Sequence, residues 1–257
     1  MAESNERPLR SASVRRSPRE RSVFKSNKRL KAEARASLLG NLTRPVFSVF
    51  LYTLSTAFLA ELIANFRTES ALLSLLFSII VFVVLGICAK MLRIGLSCIF
   101  LRLHFKRDVK ISDLFCAFSG KSDTAVQCCA FLSLIELLPV FPLLALLSAG
   151  SALNRAVYIV LLILFSLATF FGVLFIRIRY APHSYLLLDF PELPAGTLIR
   201  GSSRMMQGHR MRLFKLYLSF LPLYLLGVLS FGVARLWVSC YSHSAEAAFY
   251  RDLTAKI

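Results

Sequence analysis

The chain has 257 residues, of which 56% are hydrophobic and 18% are charged, and its formal net charge is +17. A charged share well below the ~25% of typical soluble domains, with a mean hydropathy of +0.64, argues against an ordinary water-soluble protein. Proteins that bind nucleic acid gather their cations on one polar face, whereas here the cations lie between long apolar runs. The distribution therefore predicts a membrane protein with no nucleic-acid partner.

Residues 1–27 form a polar, basic tail that contains serine and proline and lacks an apolar stretch. Such a segment has too little apolar surface to offset the entropy cost of ordering, so we expect disorder. Without an apolar h-region, it is not an ordinary secretory signal. The predicted division of the chain is a disordered tail over 1–27 and a helical transmembrane domain over 28–257.

Residues 28–41 have the composition of a basic amphipathic helix that ends at Gly40-Asn41. Leu30, Ala34 and Leu38 recur every four residues and mark its apolar stripe. We expect this helix to lie on the membrane surface. The alternative is a solvated helix that leads into the first span.

Five apolar runs are long enough to cross the ~30 Å of bilayer hydrocarbon as helices. The predicted spans are 46–66, 71–89, 125–149, 156–176 and 213–238. Pro139 and Pro142 are expected to break the third span. The predicted fold is an all-α polytopic helical bundle of about five transmembrane helices, with amphipathic helices at the interface.

The C-terminal segment 232–253 has an apolar face and Gly227 and Gly232 before it. Two topologies fit this pattern. The segment either lies at the interface or re-enters the membrane, which we favour, or it returns as a sixth crossing.

Cations accumulate on one predicted side of the membrane. Twelve Lys and Arg residues precede the first span, seven lie in the loop 90–124 and six lie in the loop 177–212, whereas the short loops hold only Arg67 and Arg155. Under the positive-inside rule the N-terminus and both long loops are cytoplasmic. The predicted location is the inner (cytoplasmic) membrane, with the basic segments in contact with anionic lipid headgroups.

Glu136 is the first candidate functional residue because it lies within the third apolar run. A carboxylate inside the bilayer is costly unless it is paired, protonated or hydrated, so it marks a functional position by default. The alternative is a hydrogen-bonded glutamate that only fixes helix packing.

Three further candidates lie in the C-terminal half. Asp189 and His209 belong to the segment 180–209, which is either a recognition site for headgroups or a partner protein, or a simple connector with a turn at Pro191. Arg235, in the last apolar run, either pairs with Glu136 or Glu61 or extends its side chain to the interface.

The sequence carries no recognisable catalytic or metal-binding motif. The six cysteines form no C-x-x-C pair, the four histidines have no metal-ligand spacing, and no phosphate-loop or hydrolase signature is present. We therefore predict no catalytic, cofactor-binding or metal-binding residues and a protein that is not an enzyme.

Several short elements, which occur in the right order and spacing, resemble one family, the bacterial multi-pass membrane proteins of domain of unknown function 975. The similarity covers about residues 28–253 and is strongest in the C-terminal half. The elements that carry it are Lys31, Ala34, Arg35, Leu38 and Gly40-Asn41; Ser112-Asp113-Leu114-Phe115; Tyr180, Tyr185, Asp189 and Pro191; Ser203, Met205-Met206 and Gly208-His209; and Leu218-Ser219-Phe220, Leu236-Trp237, Tyr241 and Phe249-Tyr250.

The resemblance implies a helical bundle in a bacterial inner membrane and implies no activity. The chain departs from the family at Leu221-Pro222, where a Gly-Trp pair is usual, and at Cys240, where a proline is usual.

The sequence leaves two functional hypotheses open. The first is a non-enzymatic membrane component that interacts with lipid or with a protein partner. The alternative is a transporter or channel component that uses Glu136 as an intramembrane polar site.

Overall fold

The computed structural model describes residues 24–39, 42–65, 70–119, 122–149, 154–230 and 232–255, and all regular structure within these ranges is helical. The helices are α1 (Asn27–Leu38), α2 (Thr43–Asn65), α3 (Ala71–His104), a 3₁₀ helix (Ile111–Phe115), α4 (Cys116–Ser119), α5 (Ser122–Ala149), α6 (Arg155–Arg179), α7 (His183–Asp189), α8 (Ala195–Met205), α9 (Arg210–Leu218), α10 (Leu221–Leu229) and α11 (Val233–Thr254). The predicted all-α fold is confirmed. Most of the predicted tail 1–27 and the Gly40-Asn41 stop lie outside the described residues.

The molecule has two regions that differ in what their side chains contact. The first, which we call the apolar half, consists of 50–65, 71–89, 137–149, 155–176 and 221–239. It contains three charged residues in its sequence, Glu61, Arg155 and Arg235. About half of its described large apolar side chains are exposed, as at Leu164 (57%), and only Leu144 and Leu146 are buried.

The rest of the described chain, which we call the core half, has a conventional buried interior. Leu114, Leu216 and Phe220 are at most 1% exposed there. Two hydrophobic clusters fill it, one around the C-terminal part of α3 and one between α1, α9 and α11. Most of the basic residues of the described chain lie on this half.

Three helical segments of the described residues are long and apolar enough to cross a membrane, namely Leu72–His104, Asp123–Ser148 and Arg155–Asp189. They correspond to the second, third and fourth predicted spans. The structure therefore supports a membrane protein with at least these candidate spans, and the predicted total of five or six stays a prediction.

Two of the candidate spans differ from their predicted course. α3 continues past residue 89 to His104, so the predicted loop begins inside a helix. α5 runs unbroken through Pro139 and Pro142. Neighbouring helices let a long apolar helix tolerate proline, and α6 packs against Pro139, where the Thr169 hydroxyl donates to the Pro139 carbonyl at 2.8 Å. The prediction that these prolines break the third span is wrong.

The predicted fifth span, 213–238, is divided among three helices. The chain turns at 219–220 between α9 and α10 and reverses at Gly232, whose φ of +87° is available to glycine at little cost. α10 and α11 then pack as a hairpin, with Gly227 so close to Arg235 that an added Cβ would lie 3.2 Å from its backbone.

This hairpin is shallow. Its nine-residue arm α10 rises about 14 Å, against about 28 Å for 71–89 of α3. α11 returns to the core half, where the Asp252 carboxylate accepts from the backbone N–H of Lys25 at 3.2 Å. The two ends of the described chain therefore lie together, which fits both the re-entrant and the six-crossing alternative.

The apolar stripe of α1 does not face a membrane surface. Leu30, Ala34 and Leu38 are 0%, 0% and 7% exposed, and α1 packs against α11. The prediction of a surface helix embedded through this stripe is therefore wrong. An amphipathic stripe has the same pattern whether it faces lipid or another helix, and here the partner helix is distant in sequence.

Candidate functional site

A cavity of about 190 Å³ lies where the apolar half meets the core half, between α2, α3, α5 and α6. Its polar lining comes from six helices or turns. The residues concerned are Tyr52, Lys90, Arg93, Glu136, Arg177, Tyr180 and His183. Phe82 and Leu132 add apolar surface, so the cavity has both charged and apolar lining.

The Glu136 carboxylate is paired inside this cavity. Lys90 Nζ lies 2.7 Å from Glu136 Oε2 and donates to the Ser133 hydroxyl at 3.0 Å. Both charged side chains are largely buried, at 14% and 13% exposure, so each depends on the other for compensation. Ser133 lies one turn before Glu136 on α5, and the absence of a side chain at Gly86 lets α3 approach it.

Arg93 lies one turn beyond Lys90 on α3 and connects the cavity to a second carboxylate. Its guanidinium is 3.5 Å from Glu246 of α11, which also lies 3.7 Å from His243 Nδ1. Burial alone raises the pKa of Glu246. The nearby His243 and the charge of Arg93 outweigh burial and lower the pKa to about 2.

The cavity lining carries an excess of positive charge. Lys90, Arg93 and Arg177 contribute three cations against the single carboxylate of Glu136. Glu246 offsets Arg93 from behind, whereas Arg177 is exposed near the end of α6. A ligand that suits this arrangement has an anionic group for the cations and an apolar part for the hydrophobic wall.

A separate ionic cluster ties both ends of the described chain to α9. Arg212 donates to Asp252 at 2.7 Å and to the Lys25 carbonyl at 2.9 Å. Asp252 is 3% exposed, and the Arg212 guanidinium lies 4.5 Å from the centre of the Phe24 ring. This cluster holds the start of α1 in place.

The other predicted site residues lie in different places. His209 packs edge-on against Phe24 at 4.5 Å, and partial burial together with the charge of Arg212 lowers its pKa. Asp189 accepts a 2.5 Å hydrogen bond from the Tyr250 hydroxyl. Arg235 is exposed on the α10–α11 hairpin.

The four candidates, Glu136, Asp189, His209 and Arg235, are thus not brought together in one site. Glu136 pairs with Lys90 rather than with Arg235, and it lies at the boundary of the two halves rather than in the middle of the apolar region. The ionic partners Lys90, Arg93 and Glu246 were not singled out from sequence. Lys90 is the first cation after a long apolar run, which was the one available signal.

In the described ranges, no group of three or more His, Cys, Asp or Glu side chains is placed to hold a metal ion. The cysteines of these ranges are free thiols, and four of them are buried, which makes them small core residues.

One protein family has a model that matches this chain. Its description is "Protein of unknown function (DUF975)", and the match extends over residues 24–257. No curated protein and no solved structure matches the chain. The match covers nearly the whole chain and confirms the family to which the sequence elements are similar. The chain therefore belongs to the DUF975 family.

Proposed function

We propose that this protein is a non-enzymatic, multi-pass inner-membrane protein that binds the headgroups of anionic lipids in the cavity around Lys90. One observation carries the proposal. Three cations, Lys90, Arg93 and Arg177, surround a cavity at the level where the exposed apolar surface begins.

The depth of the cavity suits a headgroup. The part of α3 that precedes Lys90, residues 71–89, rises about 28 Å, close to the ~30 Å thickness of bilayer hydrocarbon. A helix placed with this stretch in the hydrocarbon has Lys90 at the headgroup level. Acyl chains would then lie along the exposed face of α6, next to Ile163 and Leu167.

The proposed orientation has the core half in the cytoplasm. The basic segments before α2, after residue 89 and after residue 176 all belong to this half, which agrees with the positive-inside rule. An anionic leaflet attracts each such cation by about 1 kcal/mol. The association of Lys25 with Asp252 supports N- and C-terminal ends on the same side.

The substitution Arg177→Gln tests the cavity with little risk to folding, because this side chain is exposed and lies at the edge of the site. Loss of a contribution of about 1 kcal/mol should weaken the binding of an anionic lipid about fivefold. Native mass spectrometry of the purified protein, titrated with phosphatidylglycerol and phosphatidylcholine, measures the fraction of protein with bound lipid.

Arg155→Gln is the matched control, since it removes the same charge from the opposite end of α6, about 33 Å away. We expect this variant to retain phosphatidylglycerol as the unmodified protein does. Equal retention by all three proteins, or no preference for phosphatidylglycerol over phosphatidylcholine, would contradict the proposal.

The transporter or channel alternative has one observation in its favour, which is that Glu136 lines the cavity. In that case Glu136→Gln changes proton or ion flux into reconstituted vesicles. The lipid-binding proposal expects vesicles with the unmodified protein to show the same flux as empty vesicles. A flux that depends on Glu136 would favour the alternative.

A further inference from the structure

A second concavity lies at the far end of the core half, away from the apolar helices. It has a volume of about 490 Å³ and lies between α1, the end of α3 and α11. We call it the basic groove, and its charged lining consists of Lys25, Glu33, Lys106, Arg107 and Arg251. Four cations against one carboxylate give this lining a net charge of +3.

Most of this positive charge has no acidic partner. Lys25 pairs with Glu33 at 2.6 Å. Within the part of the chain that the structure describes, no carboxylate lies in ion-pair contact with Lys106, Arg107 or Arg251. Arg251 instead stacks over the Phe105 ring at 5.0 Å. Three cations at one concavity repel one another and favour an anionic ligand.

The backbone at Lys106 provides a second, independent observation. α3 ends in a Schellman motif, with the Lys106 N–H bonded to the Leu103 carbonyl and the Arg107 N–H bonded to the Arg102 carbonyl. Lys106 takes the left-handed position of this motif at φ +53°, where glycine is the usual residue. A lysine at this backbone position lowers the stability of the fold, and a glycine would avoid that cost. The presence of lysine at the edge of the groove therefore points to a function of its side chain.

The groove is out of reach of the headgroups bound at the first cavity. His104 lies 14 residues beyond Lys90 on the same helix, a rise of about 21 Å. If Lys90 is at the headgroup level, as the proposed function requires, the groove opens into the cytoplasm. Its ligand is therefore dissolved in water. The inference rests on the proposed function only for the position of the groove in the cytoplasm.

We propose that the basic groove binds a water-soluble ligand that carries two or more phosphate groups. Its volume lies within the range of small-molecule sites, about 300–1,000 Å³. Guanidinium groups match the oxygens of phosphate in a bidentate manner, and lysine adds a mobile point charge. Arg107 and Arg251 with Lys106 provide both kinds of donor.

The test uses the full chain in detergent and tripolyphosphate as the probe, with binding measured by calorimetry. The double variant Lys106→Gly/Arg107→Gln removes two of the unpaired cations. The glycine suits the left-handed backbone, so this variant should melt no lower than the unmodified protein. We expect its affinity for tripolyphosphate to fall at least tenfold.

The matched control is Arg200→Gln/Arg204→Gln, which removes the same charge from exposed positions on α8. We expect this variant to bind tripolyphosphate as the unmodified protein does. An equal loss of affinity in both double variants, or no binding by the unmodified protein, would overturn the proposal.

Two further probes separate the possible sources of the anionic groups. We expect hexaglutamate, tested as a model of an acidic peptide, to bind at least tenfold more weakly than tripolyphosphate. We expect vesicles that contain phosphatidic acid not to displace tripolyphosphate. Equal affinity for hexaglutamate would overturn the proposal that the ligand carries phosphate groups. Displacement by the vesicles would overturn the proposal that the ligand is water-soluble.

Arg177→Gln should leave tripolyphosphate binding unchanged. A failure of the lipid-binding proposal at the first cavity is therefore distinguishable from a failure of the phosphate-binding proposal at the basic groove.

Discussion

The two halves of this molecule differ in the exposure of their apolar side chains, which are often exposed in the apolar half and mostly buried in the core half. In α3, several apolar side chains between residues 72 and 84 are exposed, with Leu72 at 74%, whereas from Met91 onward most apolar side chains of the same helix are buried. An outward apolar surface is stable only in a non-aqueous surrounding, while a buried apolar interior is how a protein folds in water. The change within one continuous helix marks where the bilayer surface is expected.

The largest effect is expected where a buried charge is left without its partner in the core half. Asp252→Ala removes the carboxylate that holds Arg212 and the Lys25 backbone, and the loss should be about 3–5 kcal/mol of unfolding free energy. Thermal unfolding in detergent measures it, and cleavage by trypsin near Lys25 should become faster. Asp108→Ala removes an exposed carboxylate of the same type and should change neither. Similar behaviour of the two variants would contradict the assignment of this cluster.

A leucine truncation in each half compares the two environments directly. Leu216→Ala leaves a cavity at a fully buried position and should cost about 2–5 kcal/mol. Leu164→Ala shortens a side chain that is 57% exposed and should cost less than about 1 kcal/mol. Melting temperatures of the two variants provide the comparison. Equal losses would show that Leu164 is covered by protein.

Two glycines of α3, one in each half, provide a finer comparison. A Cβ at Gly95 would lie 1.8 Å from the backbone carbonyl oxygen of Leu114, so Gly95→Ala must displace the 3₁₀ helix and should cost about 1–3 kcal/mol. A Cβ at Gly86 would lie 3.1 Å from the Ser133 hydroxyl, with the Ser133 Cβ at 3.6 Å and Lys90 Nζ at 3.7 Å, and these are side-chain atoms that can shift. Gly86→Ala should therefore be tolerated better, as measured by the yield of monodisperse protein and by its melting temperature.

The smallest expected effect is a pH dependence that belongs to the core half. Glu246 has a pKa of about 2 in the folded protein and 4.5 in the unfolded chain. As the pH falls, the unfolded chain takes up the proton first, so the stability that Glu246 provides is present above pH 4.5 and is lost toward pH 2. Between pH 6 and pH 4 the loss is about 1 kcal/mol.

The matched measurement is the melting temperature of the unmodified protein and of Glu246→Gln at a series of pH values. The variant is expected to be less stable at pH 6 and to lose less stability on acidification. A parallel decline of both proteins with falling pH would contradict the ion pair with Arg93.

The sequence was sufficient for the features that depend on local pattern. Apolar runs of span length predicted α3, α5 and α6 as candidate membrane helices, and ordered short elements predicted the family. Features that depend on long-range contacts were not accessible. The apolar stripe of α1 has the same spacing whether it faces lipid or α11, and the partners of Glu136 and Arg93 depend on the packing of helices that lie far apart in the chain. The contact between Thr169 of α6 and the Pro139 carbonyl of α5 was inaccessible for the same reason.

The central claim is that the apolar half lies in lipid while the core half lies in water. The test places a single spin label at Leu164→Cys or at Arg107→Cys, in a chain whose native cysteines are replaced. In reconstituted vesicles, collisions of each label are measured with oxygen, which concentrates in lipid, and with a nickel chelate, which stays in water. The account predicts that the label at 164 collides mainly with oxygen and the label at 107 mainly with the nickel chelate. Equal access of the nickel chelate to both positions would contradict it.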